Sequence, residues 1–377
     1  MKPDEKFHSH GRYLYALARQ RALRAILRPL CRWRPLEAPQ PGYTIIIGCP
    51  ASMTKVLYAN LALLMRQQRH HLREVVLVLD VPRAHRDAGL ERDLTLRFGE
   101  LSLRFVYYSS LQARVLDRIG WAWTYCWLSW ALGVAAVRTR YALLHDLDAL
   151  LLRGELIEER YRAIRERGGH FLGPRYYRGN GITSDDGLVV TFEMMFDAAW
   201  LRGQTRPIDL FNRVSRHRGR RIEYDTFLYP QRLSGRSSVL PIDASAMMHP
   251  SQLVCQFVEL NQRRRYVPPT RNNLPLLPYF HYLAGEHDIL DAHRDSIDHP
   301  DGDVVELLGK PMDLSRLSLR HAAWLDEQGR RVEHALVGRT RPEVDRYFHA
   351  LRRFVERREQ CGCVENHTPR SGTARGE

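Results

Sequence analysis

Two uninterrupted apolar stretches, residues 43–49 (YTIIIGC) and 74–80 (EVVLVLD), limit what this chain can fold into. A strand with one wet face alternates apolar and polar residues, whereas a strand that is apolar throughout is buried on both faces, as in a parallel sheet covered by helices. Residues 53–68 between them have helical periodicity. Residues 101–108 read as a third strand, 119–138 as a helix and 141–146 as a fourth strand, so strand–helix units repeat. The fold class is therefore α/β, a doubly wound, mostly parallel sheet flanked by helices. Further along, the pattern predicts helices over 155–167, 192–201, 208–216, 224–233 and 251–262, and strands over 170–173, 188–191 and 238–242. Residues 175–186 read as a loop, 268–303 as irregular and 341–358 as a charged helix.

Composition narrows the partners. The formal net charge is +14 and most basic residues are Arg, which grips phosphate with a planar fork, so an anionic partner is expected. The six cysteines fall at 31, 49, 126, 255, 361 and 363, without the paired spacing of a zinc site or disulfide framework, and a reducing compartment follows. The first residues lack a secretory signal pattern, which points to the cytoplasm. The uncharged stretch 119–137 has spanning length, but Trp121, Trp123, Trp127 and Trp130 run through it, and aromatic residues belong at membrane interfaces; a buried helix is the better reading.

Residues 11–34 hold seven Arg and no acid, with Leu23, Ile26, Leu27 and Leu30 on one helical face and Arg21, Arg24 and Arg28 on another. Such a helix either lies on an anionic membrane surface, which would make the protein peripheral on the cytoplasmic face, or docks on the main domain. The expected organisation is a basic N-terminal segment over 1–42, a main α/β domain over 43–300, a helical C-terminal extension over 301–360 and a disordered tail over 361–377.

In a doubly wound sheet, ligands bind beyond the carboxyl ends of the strands. Three of those ends carry polar groups: residues 49–52 with Cys49 and Ser52, Asp80, and the pair Asp146-Leu147-Asp148. Alternation in an extended chain sends Asp146 and Asp148 to one side and Leu147 to the other. Two carboxylates so close can share a hard divalent cation, and magnesium is commonly held between one or two carboxylates and the phosphates of a nucleotide. The competing reading is a strand end whose acids face solvent or cap a helix.

With these segments in order, residues 43–260 resemble the GT-A-fold glycosyltransferases, on YTIIIGC, the strand ending in Asp80, YALLHDLDALLL, GLVVTFEMMF and EYDTFLYP. The resemblance implies an enzyme that moves a sugar from a nucleoside-diphosphate sugar to a saccharide, lipid-linked or protein acceptor, with Mn2+ or Mg2+ as cofactor. It implies that Cys49, Ser52 and Asp80 line the nucleoside pocket, that Asp146 contacts ribose or sugar, and that Asp148 binds the metal. A late histidine completes the metal shell in such enzymes; His249 is preferred over His281. If the reaction inverts the anomeric centre, Asp225 matches the position of the general base, its alternative role being an N-cap. Asp185, Asp186 and Glu193 are further acids in reach of an acceptor. The family's acid motif is often Glu-Asp, and here it is Tyr224-Asp225, which leaves base and stereochemistry open.

Two rivals come from other classes. A haloacid-dehalogenase-type phosphohydrolase also uses Asp-x-Asp after an apolar strand, but near the start of its domain and followed by Thr or Val, whereas Ala149-Leu150 follow here. A basic nucleic-acid-binding protein would concentrate its Arg in a recognisable module, and no such signature is present, so no specific nucleic acid is expected.

Overall fold

The computed structural model describes residues 6–176, 179–262 and 266–360, so the tail expected over 361–377, with Cys361 and Cys363, lies outside the described residues. The chain divides into two compact units, Met1–Pro250 and Ser251–Glu377.

The first unit opens with α1 (His10–Leu27) and continues through β1 (Gln40–Cys49), α2 (Thr54–Met65), β2 (Leu72–Pro82), α3 (Ala88–Phe98), β3 (Leu103–Tyr108), α4 (Ser110–Ile119), α5 (Ala122–Ala136) and β4 (Thr139–His145). After these come β5 (Leu150–Leu151), α6 (Leu156–Arg167), β6 (Phe171–Pro174), β7 (Glu193–Asp197), α7 (Ala198–Gln204), β8 (Arg213–His217), β9 (Arg220–Tyr224), α8 (Leu228–Ser234), β10 (Ser237–Leu240) and β11 (Met247–Met248). Seven strands form one sheet in the order β10-β6-β7-β4-β1-β2-β3. Pairing is parallel except at β7, which runs antiparallel to β4 and β6, so the sheet is mixed but mostly parallel, as expected.

Both faces of β1 and β2 are buried because helices cover them. On one face Trp127, Leu128, Ala131 and Val134 of α5 pack with Ile46, Val76, Val78, Ala142 and Leu144. The helix comes so close that a Cβ at Gly133 would collide with Ile46. Trp127 and Trp130 are buried, Trp127 donating from Nε1 to the Pro207 carbonyl at 2.7 Å, whereas Trp123 is 39% exposed. Among the described residues no helix is long and apolar enough to cross a membrane.

Three expected elements differ. The strand expected over 188–191 is one isolated bridge at Val189, and the strand proper is β7, inside the predicted helix 192–201. Met194, Met195 and Phe196 are common in helices too, but ladder pairing with β4 decides their state. The helix expected over 208–216 is instead a 3-10 turn, Pro207–Leu210, followed by the hairpin β8–β9. Its two turn residues, Arg218 and Gly219, both have positive φ (47° and 76°), the two-residue turn that suits strand twist.

The second unit holds α9 (Leu253–Gln262), α10 (Leu276–Leu283), α11 (Ile289–Asp298), the hairpin β12 (Val304–Leu307) and β13 (Lys310–Asp313), α12 (Leu319–Val337) and α13 (Pro342–Gln360). Half of the stretch 268–303 is thus helical. Pro275 and Pro278 read as breakers in the sequence, but they fall at the N-cap and first turn of α10, where no backbone donor is lost.

The N-terminal helix docks on the first unit. Tyr13, Gln20 and Leu27 are buried, Leu23 and Leu30 pack against the core, and Ile26 of the expected apolar face is 53% exposed. Gln20 donates to Glu223 Oε1 at 2.9 Å, while Arg24 donates to the Ile208 carbonyl at 2.8 Å and pairs with Asp209 at 3.0 Å.

Candidate active site

Strand β4 ends at His145, and the chain turns at once, with the Ala149 N–H bonded to the Asp146 carbonyl at 3.1 Å. The Asp146 N–H donates to the Phe192 carbonyl at 2.9 Å, tying the turn to the segment before β7. Leu147 is buried, 2% exposed, but it and Asp148 sit in this turn rather than on an extended strand, so the turn and not the expected alternation brings Asp146 and Asp148 together. The turn delivers β5, which pairs antiparallel with β11 and so carries the next residue, His249, back over the carboxylates.

One ligand atom each from Asp146, Asp148 and His249 lie within 4.8 Å of one another. His249 Nε2 stands 3.5 Å from Asp148 Oδ1 and 3.8 Å from Asp146 Oδ2. Its ring stacks on Phe192, centroids 4.3 Å apart, which fixes the imidazole plane. His281 is in the second unit, where its Nδ1 lies 2.9 Å from Glu286 Oε2.

Electrostatics explain why a cation suits this group. Burial, and then the charge of Asp148, push the Asp146 carboxyl up to about 7; His249 opposes and Asp225 adds to the rise. Burial pushes His249 down, but its bond to Asp148 and the charges of Asp148 and Asp146 outweigh it and leave the imidazole above its ordinary value. Two carboxylates and one imidazole, charged against each other and partly desolvated, form a mixed oxygen–nitrogen donor set that fits Mn2+ or Mg2+.

The other expected residues are placed as follows. Asp80, at the end of β2, accepts from the Ala51 N–H at 2.8 Å, and burial raises its carboxyl above the ordinary range. That bond ties the end of β2 to the 3-10 turn Ala51–Met53, on which Ser52 is exposed. Cys49 is buried, its thiol pushed well up by burial and donating to the Pro50 carbonyl at 3.3 Å. Asp225 follows β9 and is not the N-cap of α8, a position held by Phe227. Its carboxylate accepts from the Thr226 N–H at 2.7 Å and from Asn212 Nδ2 at 3.2 Å. Burial pushes Asp225 up to about 6, with Glu223 adding to the rise and Thr226, Asn212 and Lys6 opposing. Glu193 and Asp186 are already engaged: Arg160 forks onto Glu193 at 2.9 and 3.2 Å, and Arg220 onto Asp186 at 2.7 and 3.0 Å.

Two residues of the site were not foreseen from sequence. Phe192 stacks on His249, and Asn60 of α2 donates from Nδ2 toward three carbonyls of the turn, Asp146 at 3.2 Å, Leu147 at 2.8 Å and Ala149 at 3.2 Å. Asn60 is 1% exposed and is the one amide side chain among the buried residues of α2, a signal visible in VLYANLALLM. It acts as a clasp on the backbone that presents both carboxylates. Asn60→Leu is expected to weaken Mn2+ binding about 10- to 100-fold with all three ligand side chains intact, the usual scale for groups that orient ligands. Calorimetric titration of Mn2+ checks this, and unchanged affinity would refute the clasp.

No family model and no curated protein matches the sequence. Solved glycosyltransferase structures match it. Residues 1–349 of S. aureus TarS align with 85% of this chain and 92% of that one at 13% identity and a TM-score of 0.36. Full-length TarS aligns at 12% identity and a TM-score of 0.38 over 82% of this chain, which spans about half (54%) of that longer protein. The mannosyltransferase PcManGT from Pyrobaculum calidifontis, in complex with GDP-Man and Mn2+, aligns over 92% of this chain and 95% of its own length at 12% identity and a TM-score of 0.36. At such identities the likeness is one of fold alone.

Proposed function

We propose that the protein is a metal-dependent glycosyltransferase that moves a sugar from a nucleoside-diphosphate sugar to an acceptor hydroxyl. The observation that carries this reading is the convergence of Asp146, Asp148 and His249 at the carboxyl end of β4. It joins the sequence resemblance to GT-A enzymes with a donor set suited to a diphosphate-bound cation. When bound, the cation would neutralise charge developing on the diphosphate leaving group. Asp148 and His249 would hold it, Asp146 would also reach the ribose or sugar, and the Cys49–Ser52 turn with Asp80 would receive the nucleoside. Asp225 would take the acceptor proton.

The test is a screen of sugar nucleotides for thermal stabilisation of the full chain with Mn2+. A ligand at 100 times its Kd adds about 2.7 kcal/mol. For a chain of this size that is a rise of roughly 3–4 °C, lost in EDTA. If no sugar nucleotide stabilises the protein while it hydrolyses a phosphate monoester with Mg2+, the phosphohydrolase reading replaces this one.

We also infer that the protein sits on the cytoplasmic face of a membrane through the outward side of α1. Leu14, Tyr15 and Ile26 are 48%, 72% and 53% exposed there, flanked by the exposed Arg12, Arg19, Arg21 and Arg28, which complements anionic lipid. Recovery with phosphatidylglycerol vesicles but not phosphatidylcholine vesicles is expected. Leu14→Glu with Ile26→Glu should abolish it, and equal recovery of that variant would remove the idea.

A further inference from the structure

A cleft of about 240 Å³ opens between α1 and β8, lined by Tyr13, Gln20, Arg21 and Arg24 from the helix and by Arg213 and Arg216 from the strand. It lies apart from the metal ligands and plays no role in the reaction described above.

Its charge is out of balance. Four guanidinium groups face two carboxylates at its edge: Asp209, 3.0 Å from Arg24 Nη2 and 3.9 Å from Arg213 Nη1, and Glu223, which accepts from Gln20. Burial lowers Arg24 from the ordinary arginine value and the charge of Arg213 lowers it further, against the pull of Asp209. Arg213 lies over the Tyr229 ring, 3.9 Å from its centroid, as well as near Asp209, and Arg216 lies over Tyr13 at 5.9 Å. Arg21 and Arg216 are exposed, and among the described residues neither has a carboxylate within ion-pair distance.

Like charges gathered in one concavity raise the local concentration of the opposite charge. Guanidinium forks match phosphate oxygens in geometry as well as charge. We propose that this cleft is a binding site for a phosphate group. Arg21 and Arg216 supply the free donors, Arg24 and Arg213 the fixed field, and Tyr13 the wall. The site stands on α1 and β8 alone and does not depend on the glycosyltransferase reading.

The phosphate has two sources, a soluble phosphorylated ligand or a phospholipid headgroup. The test is thermal melting of the full chain in EDTA, which removes metal-dependent diphosphate binding. Inorganic phosphate is titrated against sodium chloride at equal ionic strength. A saturable rise in Tm specific to phosphate is expected, and in the Arg21→Ala, Arg216→Ala double variant its midpoint should move at least tenfold higher. Both side chains are exposed, so the variant should melt with the wild type in chloride. Should it not, phosphorus NMR line broadening with the single Arg21→Ala variant gives the same comparison without a melting readout. An equal rise in phosphate and chloride, or an equal rise in wild type and variant, would overturn the site. Dihexanoyl phosphatidylglycerol below its micelle concentration then separates the sources. A midpoint tenfold below that of inorganic phosphate assigns a headgroup, and an equal midpoint assigns the phosphate alone.

Discussion

Asp148→Ala is expected to abolish Mn2+-dependent binding of UDP and GDP, lowering affinity by at least 100-fold, and to remove glycosyl transfer with it. The reason is the composition of the metal group. Asp148 is one of two carboxylates in a set of three ligands, and its side chain is only 6% exposed, so no solvent-borne group stands ready to replace it. His249 would lose the nearer of its two carboxylate partners, the one at 3.5 Å. What remains, Asp146 and one imidazole, offers a hard cation a single oxygen ligand, below what manganese or magnesium needs from protein and phosphate together. The folded state should not suffer, because Asp148 is the charge that, after burial, most raises Asp146, and deleting one of two facing carboxylates relieves repulsion. Loss of binding with an unchanged or higher Tm in EDTA is therefore the expected pair of results. Calorimetry showing Mn2+-dependent UDP or GDP binding equal to wild type would sink the metal assignment.

How far the sequence foretold this site follows from which contacts are local. The Asp pair and the parallel sheet were legible because each is written in consecutive residues, apolar runs buried on both faces and two acids one residue apart at a strand end, although a turn and not strand alternation brings Asp146 and Asp148 together. His249 could be preferred over His281 but not seated, since its position depends on β11 pairing with β5 across almost a hundred residues of chain. Asn60 was invisible for a related reason. A lone Asn in a helix is unremarkable until one knows which carbonyls it faces, and those belong to a turn 86 residues later. The elements misread, β7 and β8, are ones whose side chains fit helix and strand alike, so pairing partners and not periodicity decide their state. The basic helix allows two readings from sequence, membrane surface or docking, and the structure docks it on the first unit. Its periodicity was real, but Leu23, Leu27 and Leu30 turn inward onto the core, and the face left to solvent is the one with Leu14, Tyr15 and Ala18.

Asp225→Asn should separate chemistry from donor binding. The carboxylate of Asp225 is held by the Thr226 N–H and by Asn212, and an Asn oxygen can accept both bonds, so the geometry should survive the substitution. What is lost is the capacity to take a proton, which for a general base costs typically 10²- to 10⁴-fold in rate. The fall is expected in kcat, with Mn2+-dependent UDP or GDP binding within a few-fold of wild type, the reverse of the Asp148→Ala result. The pH profile carries a second signature. Burial first, then Glu223, place Asp225 at about 6, with Lys6 opposing, so wild-type kcat should fall as pH drops through that value. The same raised value bears on stability. A carboxyl pushed up in the folded state contributes stability that is complete below its unfolded value and lost as pH rises through about 6. The neutral amide escapes that loss, so above pH 6 the variant should be more stable by on the order of 3 kcal/mol, roughly 4 °C in Tm. A less active but more stable protein is the mark of a charge kept for chemistry. Wild-type kcat in the variant would remove Asp225 as the base, and a lower Tm above pH 6 would show that its charge is needed for folding instead.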